Sequence, residues 1–159
     1  MTSEPEQVSL REITAANRDA VARLAVTADQ ENYVEGIAES LVEAADTPGA
    51  CPWFRAIYAG EEPVGFVMIS DGIPAERTEY LGPYYLWRLL IDERHQGRGY
   101  GSSALDLVVA YLRTRPGADT LFTSVTRGPR PPTGFYLAYG FVETGDVFEG
   151  EDVLALRLT

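Results

Sequence analysis

The pattern of apolar and polar positions predicts strands and helices that alternate along the chain. Six segments have the alternating or continuously apolar pattern of strands: VSLREI (8–13), WFRAIYA (53–59), PVGFVMIS (63–70), YYLWRLLI (84–91), DTLFTSV (119–125) and DVLALRL (152–158). The polar GEE between the second and third segments indicates a β-hairpin. Residues 84–91 are apolar almost throughout, which indicates a central strand covered on both faces.

Apolar residues at helical spacing fill much of the remaining chain. Four helices are expected: RDAVARLAVTA (18–28), ENYVEGIAESLVEA (31–44), YGSSALDLVVAYLRT (100–114) and a short proline-started helix within GPRPPTGFYLAYGF (128–141). Asn17 is a good N-cap for the first helix, and TPG at 47–49 ends the second. The loop 71–83 is long for a compact domain and is a candidate functional segment. This order predicts a mixed α/β sheet with helices on both faces.

Length and charge narrow the class of protein. At 159 residues and 45% hydrophobic composition, the chain has apolar material for one domain, and no repeat or linker divides it. We therefore expect a single domain over residues 1–159. The net charge of −11 argues against nucleic acid and favours a cationic or neutral partner, although acidity also serves solubility alone. MTSEPEQ lacks a signal-peptide pattern and no apolar run approaches membrane-spanning length, so we expect a cytoplasmic protein without a membrane partner.

The residue types present exclude several mechanisms. All 13 basic residues are arginine, so neither a lysine Schiff base nor a P-loop lysine is available. Cys51 is the one cysteine and cannot form an internal disulfide. It cannot build a metal cluster with the one histidine, His95, and we expect no metal site.

Glycine occupies every second position of QGRGYG (96–101), between the predicted strand 84–91 and the predicted helix 100–114. A strand, a tight loop and a helix start form a common anion site, because unpaired N–H groups and the helix dipole favour negative charge there. Arg94 and Arg98 add two cations beside it. The spacing does not match a dinucleotide fingerprint, whereas a glycine turn that only permits tight packing is an open alternative.

Two motifs resemble those of the GNAT superfamily of N-acetyltransferases. Gln96-Gly97-Arg98-Gly99-Tyr100-Gly101 after LLID is similar to its Q/R-x-x-G-x-G/A acyl-CoA signature, and FYLAYGF (135–141) is similar to its Y-x-x-x-G-F element. Three stretches further resemble the bacterial spermine/spermidine acetyltransferase-like group: NRDAVARLAV…QENYV, PVGFVMIS and RLLIDERHQGRGYG. The resemblance covers most of the chain.

The resemblance implies a fold, a cofactor and a set of site residues. The fold is a single-domain, mixed and mostly antiparallel sheet of six to seven strands, with splayed central strands and about four helices on both faces. Acetyl-CoA would be the cosubstrate, with its pyrophosphate on the N–H groups of 97–102 and its pantetheine arm along the strand 84–91. The implied cofactor-binding residues are Leu89, Leu90, Ile91, Gln96, Gly97, Arg98, Gly99, Tyr100, Gly101 and Ser102. Arg94 is a further candidate for the phosphates.

Acetyl transfer from a thioester to an amine needs an oxyanion donor, an acid and a base. Backbone N–H groups near Leu90 and Ile91 are candidates for the oxyanion donor. The resemblance makes Tyr136 the candidate acid for the departing thiolate, because a tyrosine hydroxyl stands where these enzymes carry one. The family's asparagine and alanine before that helix are replaced by Pro129 and Pro132, which leaves the cofactor contacts there open.

The acceptor site is expected on the second helix and the long loop. Four carboxylates there are candidates for binding or deprotonating an amine: Glu31, Glu35, Asp71 and Glu79. For each of them taken separately, a solvated surface carboxylate is the favoured interpretation. Arg88 within the central strand would repel a polyamine unless a carboxylate pairs with it, whereas Trp87 alternates to the other face and is expected in the core. His95 is expected to be a turn residue or a minor cofactor contact.

The expected function is acetyl-CoA-dependent transfer of an acetyl group to a primary amine of a small molecule, by direct attack in a ternary complex. A polyamine is the first candidate for the acceptor, followed by an aminoglycoside-type or amino-acid or peptide amine. A non-catalytic acyl-CoA-binding regulatory domain is the alternative from another class, and a homodimer is left open. Tyr136 favours the enzyme, since a binding module needs no acid beside the sulfur.

Overall fold

The computed structural model describes residues 7–24, 36–127 and 132–158. Its strands are β1 (Val8–Arg11), β2 (Pro52–Ala59), β3 (Glu62–Asp71), β4 (Tyr84–Ile91), β5 (Thr120–Val125), β6 (Val142–Phe148) and β7 (Glu151–Arg157). Its α-helices are α1 (Arg18–Ala22), α2 (Ile37–Asp46), α3 (Tyr100–Leu112) and α4 (Thr133–Tyr139). The single mixed α/β domain expected from the sequence is therefore confirmed over the described residues.

The strands form one sheet in the order β1-β2-β3-β4-β5-β7-β6, with β4 at its centre as predicted. All neighbours run antiparallel except β4 and β5, which are parallel. These two strands pair only at Tyr85–Phe122 and Leu86–Thr123 and then part. A slot consequently opens between the carboxyl halves of β4 and β5, and the predicted splay is confirmed.

Strand β6 has no counterpart in the sequence prediction. It lies at the edge of the sheet, where all of its residues except Phe148 are exposed, including Val142 and Val147. Strand β7, the last of the strands expected from the sequence, lies between β5 and β6. The apolar alternation that marks a half-buried strand is present in β7 and absent from β6 because only β7 is covered.

The two faces of the sheet carry separate cores, as expected for helices on both faces. Helix α3 presents a buried stripe to one face, formed by Ala104, Leu105, Val108, Val109 and Leu112. The buried residues of α1 and α2, Val21, Ile37, Leu41 and Ala44 among them, pack against Phe66, Met68 and Leu90 on the other face. Each fully buried aliphatic side chain contributes roughly 1.5–3 kcal/mol. Covered on both sides, the central strands are held rigidly around the slot.

The start of α1 differs from the prediction in its chemistry. Asn17 occupies the N-cap position but makes no capping bond. Its Oδ1 instead accepts from the N–H of Thr14 at 2.7 Å, and its Nδ2 donates to the Glu12 carbonyl and to the Tyr58 hydroxyl. Helix α1 ends at Ala22, and α2 runs from Ile37 to Asp46, where TPG ends it. The expected helical residues 25–28 and 31–35 lie outside the described part of the chain.

An irregularity in β4 changes the alternation of its side chains. Met68 pairs with Arg88 and Ile69 with Leu86, so Trp87 is an extra residue on β4. A bulge of this kind places two neighbouring side chains on one side of the strand. Trp87 and Arg88 therefore both face α2, which corrects the expectation that they lie on opposite faces. Trp87 packs against the core on that face and is half-buried, with its Nε1 donating to Ser70.

Candidate active site

The loop 96–101, here called the glycine loop, presents backbone N–H groups at the start of α3. Gly97 and Gly99 both have φ of +79°, a conformation that favours glycine, and open space surrounds the position of a Cβ at each. Gly99 is the N-cap without a side-chain cap. The first helical bond runs from the Ser103 N–H to the Gly99 carbonyl at 3.1 Å. The N–H groups of residues 100–102 thus have no acceptor within the helix and are suited to an anion.

The segment before the glycines is fixed by a buried histidine. His95 Nδ1 lies 3.0 Å from Asp92 Oδ2, and its Nε2 lies 3.3 Å from Glu62 Oε1. Arg94 donates to the same Asp92 oxygen at 2.9 Å, and Gln96 donates from Nε2 to the Ile91 carbonyl at 2.9 Å. His95 is a buried turn residue, which agrees with the first of its two expected roles. These bonds hold the loop against the end of β4.

The backbone of β4 alternates between its neighbour β3 and the slot. The N–H of Asp92, just beyond the strand, donates to the Val64 carbonyl at 2.8 Å. In an antiparallel ladder every second residue points the same way, so the N–H of Leu90 is also directed at β3. The N–H groups of Leu89 and Ile91 are directed into the slot. Leu90 is therefore unsuited to donate an N–H bond there, contrary to the expectation for an oxyanion donor.

Tyr136 lies at the fork where β4 and β5 part. It is only 8% exposed and meets Phe135 and Phe141 edge-on, with ring centroids 5.3 Å away in each case. Burial raises the pKa of Tyr136 well above its usual value, the nearby Tyr85 raises it further, and a hydrogen bond with Thr123 lowers it less. Thr123 belongs to the last β4–β5 pair. The hydroxyl is thus a protonated group beside the slot.

On the α2 side of β4 lies a cavity of about 400 Å³, here called the acidic cavity. Its lining residues are Glu43, Thr47, Ser70, Ile73, Glu79, Tyr80, Leu81, Tyr85, Trp87, Arg88, Phe148, Glu149 and Glu151. Carboxylates outnumber the single arginine four to one in this lining. Arg88 forms a salt bridge with Glu43 at 2.8 Å. This is the carboxylate partner that Arg88 was expected to need if it is not to repel a polyamine. The remaining excess of negative charge favours a cationic ligand.

Of the carboxylates singled out from the sequence, the two that the structure describes, Glu79 and Asp71, are not brought together. Glu79 lies in the cavity wall, where a hydrogen bond from Arg77 lowers its pKa. Asp71 is absent from the lining and is bound on the other face of the sheet, by the Tyr111 hydroxyl and by Arg115 at 2.9 Å. Glu31 and Glu35 lie outside the described residues.

Comparison with known proteins places the chain in a family. Residues 14–141 match the acetyltransferase (GNAT) family. The chain belongs to this family. The family membership expected from the two sequence motifs is confirmed.

Relatives of this GNAT chain include polyamine acetyltransferases. The spermine/spermidine N(1)-acetyltransferase of Bacillus subtilis (strain 168) is 26% identical over 154 residues, covering 95% of this chain and 99% of that protein. An acetyltransferase from Thermus thermophilus aligns with TM-score 0.71 at 24% identity, over 94% and 96% of the two chains. The spermidine N-acetyltransferase from Vibrio cholerae, in complex with CoA and spermine, aligns with TM-score 0.66 at 16% identity, over 96% of each chain. These two structures share the fold.

Several residues of the acidic cavity escaped the sequence analysis. Glu43 was expected only as part of a helix, and Glu149 and Glu151 follow the unpredicted strand β6. Tyr85 was counted only as an apolar strand residue. The packing of α2, the bulge in β4 and the hairpin of β6 and β7 bring these residues to one cavity, and periodicity carries no signal for this meeting. Within the described ranges, no three potential metal ligands cluster and no helix is long and apolar enough to cross a membrane.

Proposed function

We propose that the chain is an N-acetyltransferase that transfers an acetyl group from acetyl-CoA to a primary amine of a small cationic molecule. The observation that carries the proposal is the parting of β4 and β5 between the glycine loop and the acidic cavity. This slot offers backbone donors to an extended arm. A cofactor bound at one end would meet an amine bound at the other, which supports direct attack in a ternary complex.

The residues around the slot fit acetyl-CoA. The open space at Gly97 and Gly99 lets a pyrophosphate approach the N–H groups of residues 100–102, with Arg98 exposed beside them. Leu89 and Ile91 direct N–H groups into the slot, where a pantetheine arm would pair as an added strand. We assign the oxyanion donor to Leu89, which is the nearer of the two to the fork, instead of Leu90. Gln96 positions the loop through the Ile91 carbonyl.

The transfer reaction needs a proton donor to the leaving sulfur among the chain's own groups. Acetyl-CoA supplies a thioester whose acyl carbon is attacked by a neutral amine and whose sulfur leaves as a thiol. Tyr136 is the proposed proton donor to that sulfur, and its raised pKa keeps it protonated at every physiological pH. The same shift makes it a weak acid, so it first hydrogen-bonds the sulfur as negative charge develops there. Once its proton has moved to the sulfur, the proton that the attacking nitrogen loses regenerates the Tyr136 hydroxyl.

The acidic cavity supports a polyamine-like acceptor. Glu43 neutralises Arg88, while Glu149 and Glu151 add negative charge to the wall. Alkyl ammonium groups, with a pKa of about 10.4, are cationic at neutral pH and are attracted there. The activity named for the Bacillus subtilis relative supports the same class of acceptor. Aminoglycosides are polycations as well and belong in any panel of acceptors.

The test is release of free CoA thiol from acetyl-CoA with a panel of amines, comparing the wild type with Tyr136→Phe. We expect turnover with spermidine or a related polyamine, lowered about 100-fold in kcat by the substitution because the proton donor is lost. Tyr58→Phe removes a hydroxyl that accepts from Asn17 Nδ2 on the other face of the sheet, and it is the matched control.

Calorimetry with acetyl-CoA separates binding from chemistry. Its Kd should be the same for the wild type and Tyr136→Phe. Tight binding without turnover on any amine would favour a non-catalytic acyl-CoA-binding domain. Full activity in Tyr136→Phe would remove the role given to that hydroxyl and leave the rest of the proposal standing.

A further inference from the structure

Three strands contribute side chains to a continuous hydrogen-bond chain at the acidic cavity. The Tyr85 hydroxyl on β4 lies 2.6 Å from Ser124 Oγ on β5. Ser124 Oγ lies 2.6 Å from Glu151 Oε1 at the start of β7. Tyr85 and Glu151 both line the cavity, so the chain begins and ends there.

The carboxylate fixes the direction of this chain. An ionised carboxylate can only accept hydrogen bonds, so Ser124 must donate its single hydroxyl hydrogen to Glu151. Tyr85 is therefore the donor in its bond to Ser124. Its hydroxyl hydrogen is committed, and the remaining lone pair on the oxygen is left to accept a hydrogen bond from outside the chain. An ammonium group in the cavity is a ligand that supplies one.

We propose that Tyr85, Ser124 and Glu151 form the route by which the bound amine loses its proton, an inference that rests on the proposed function. The N–H bond of the ammonium breaks as an O–H bond forms on Tyr85. The original hydrogen of Tyr85 passes to Ser124, and that of Ser124 passes to Glu151 Oε1. The products are a neutral amine, a neutral carboxylic acid and two regenerated hydroxyls. Tyr85 contacts the amine, while Ser124 and Glu151 act through it.

The surroundings single out Glu151 among the carboxylates of the cavity. Glu43 and Glu79 are each bound to an arginine, Arg88 and Arg77, which favours their ionised form. Glu151 is instead held by two neutral hydroxyls, with Thr126 donating to its Oε2 at 2.7 Å. Among the described residues no arginine forms a salt bridge with Glu151, so it accepts a proton there without breaking one.

Charged residues of both signs surround the hydrogen-bond chain of Tyr85, Ser124 and Glu151. Glu149 lies in the same turn as Glu151, and its charge disfavours ionisation of Tyr85, as does that of Glu151 itself. Arg88 acts in the opposite sense, and Glu43 from α2 is bound to it. Glu79 approaches from the long loop. Burial is the main cause that raises the pKa of Tyr85, so Tyr85 stays neutral and passes the proton on. It also lies close enough to Tyr136 to raise the pKa of that hydroxyl.

The experiment measures kcat for the amine found active with the wild type, from about pH 6.5 to 9.5, in Tyr85→Phe, Ser124→Ala and Glu151→Gln. Each variant should lose on the order of 100-fold at neutral pH. The loss should shrink by about tenfold per pH unit, because solvent removes the amine's proton as the pH rises. Ser124→Thr keeps the hydroxyl and should restore the wild-type profile. The acetyl-CoA Kd should not change.

Matched controls are available elsewhere in the chain. Tyr84→Phe removes the neighbouring hydroxyl, which bonds the Pro116 carbonyl, and Glu61→Gln neutralises an exposed carboxylate bound to Arg11. Both should keep the wild-type profile. Variants with full activity at neutral pH, or with a deficit that does not vary with pH, would overturn the relay and leave the proposed function intact. A wild type that acetylates no amine would overturn both.

Discussion

Gly97 and Gly99 both have φ of +79°, and at neither position does a neighbouring atom lie where a Cβ would stand. Backbone conformation, not crowding, is therefore what excludes other residues there. In Gly99→Val the left-handed conformation costs roughly 1–2 kcal/mol, so the loop relaxes away from it. We expect acetyl-CoA affinity to be lost while the protein remains folded, as measured by calorimetry and thermal unfolding.

Substitution of Gly134 is the matched control for Gly99→Val. It lies within α4, and likewise no atom lies near the position of its Cβ. Gly134→Ala should raise the free energy of unfolding by roughly 0.4–1 kcal/mol without changing acetyl-CoA affinity. Unchanged affinity in Gly99→Val would show that the glycine loop does not bind the cofactor.

The sequence predicted those site residues that belong to a recognisable motif. Gly97, Gly99 and Tyr136 all lie around the slot because local spacing defines a loop and a helix. Glu151 could not be predicted, since its bond to Ser124 depends on which strand lies beside β5. Asp71 was misjudged for a related reason: its position in β3 directs it to the α3 face.

At the scale of elements, the slot separates the amides of β4 into two classes. Leu90 donates towards β3, whereas Leu89 and Ile91 face the opening between β4 and β5. By amide hydrogen exchange, we expect Leu90 to be protected in the free protein and the other two to exchange faster. Saturating acetyl-CoA should protect Leu89 and Ile91 selectively.

The β3 residues opposite these amides provide an internal control. Phe66, which pairs with Leu90, should exchange slowly with or without acetyl-CoA. Leu89 and Ile91 as slow as Leu90 in the free protein would mean that the slot is closed in solution. An unchanged pattern on adding acetyl-CoA would argue against an added strand of pantetheine.

The sequence predicted those strands and helices whose burial leaves a regular pattern of apolar residues. Strand β4 was placed at the centre from its apolar run, and α3 from its helical spacing. Strand β6 left no such pattern, because Val142 and Val147 are exposed and Gly145 lies in an irregular stretch between Glu143 and Val147. The bulge at Trp87 likewise has no signature in an apolar run, so the shared face of Trp87 and Arg88 was not foreseen.

For the whole molecule, tyrosine burial sets the response to alkali. Burial is the main cause that raises the pKa of five tyrosines above 10.0: Tyr84, Tyr85, Tyr111, Tyr136 and Tyr139. The unfolded chain ionises near its ordinary value, so their stabilisation is complete below about pH 10 and is lost as the pH rises through the folded-state values. We expect the free energy of unfolding in urea to fall steeply above pH 10.

The contribution of Tyr136 to this fall in the free energy of unfolding can be measured separately. Tyr136→Phe should show a smaller decrease between about pH 9 and 11 than the wild type, because one raised pKa is removed. Added salt of about 0.5 M screens the repulsion due to the net charge of −11 and isolates the tyrosine effect. An equal decrease in both proteins would mean that Tyr136 ionises normally.

The strand order β5-β7-β6 has a consequence for how the molecule is assembled. Strands β1 to β4 lie side by side in the same order in which they follow one another along the chain. Strand β6 pairs only with β7, which follows it, so this edge cannot join the sheet until β7 has docked beside β5. During synthesis on the ribosome, the strand that carries the slot's amides is thus complete long before the hairpin that brings Glu149 and Glu151 to the acidic cavity.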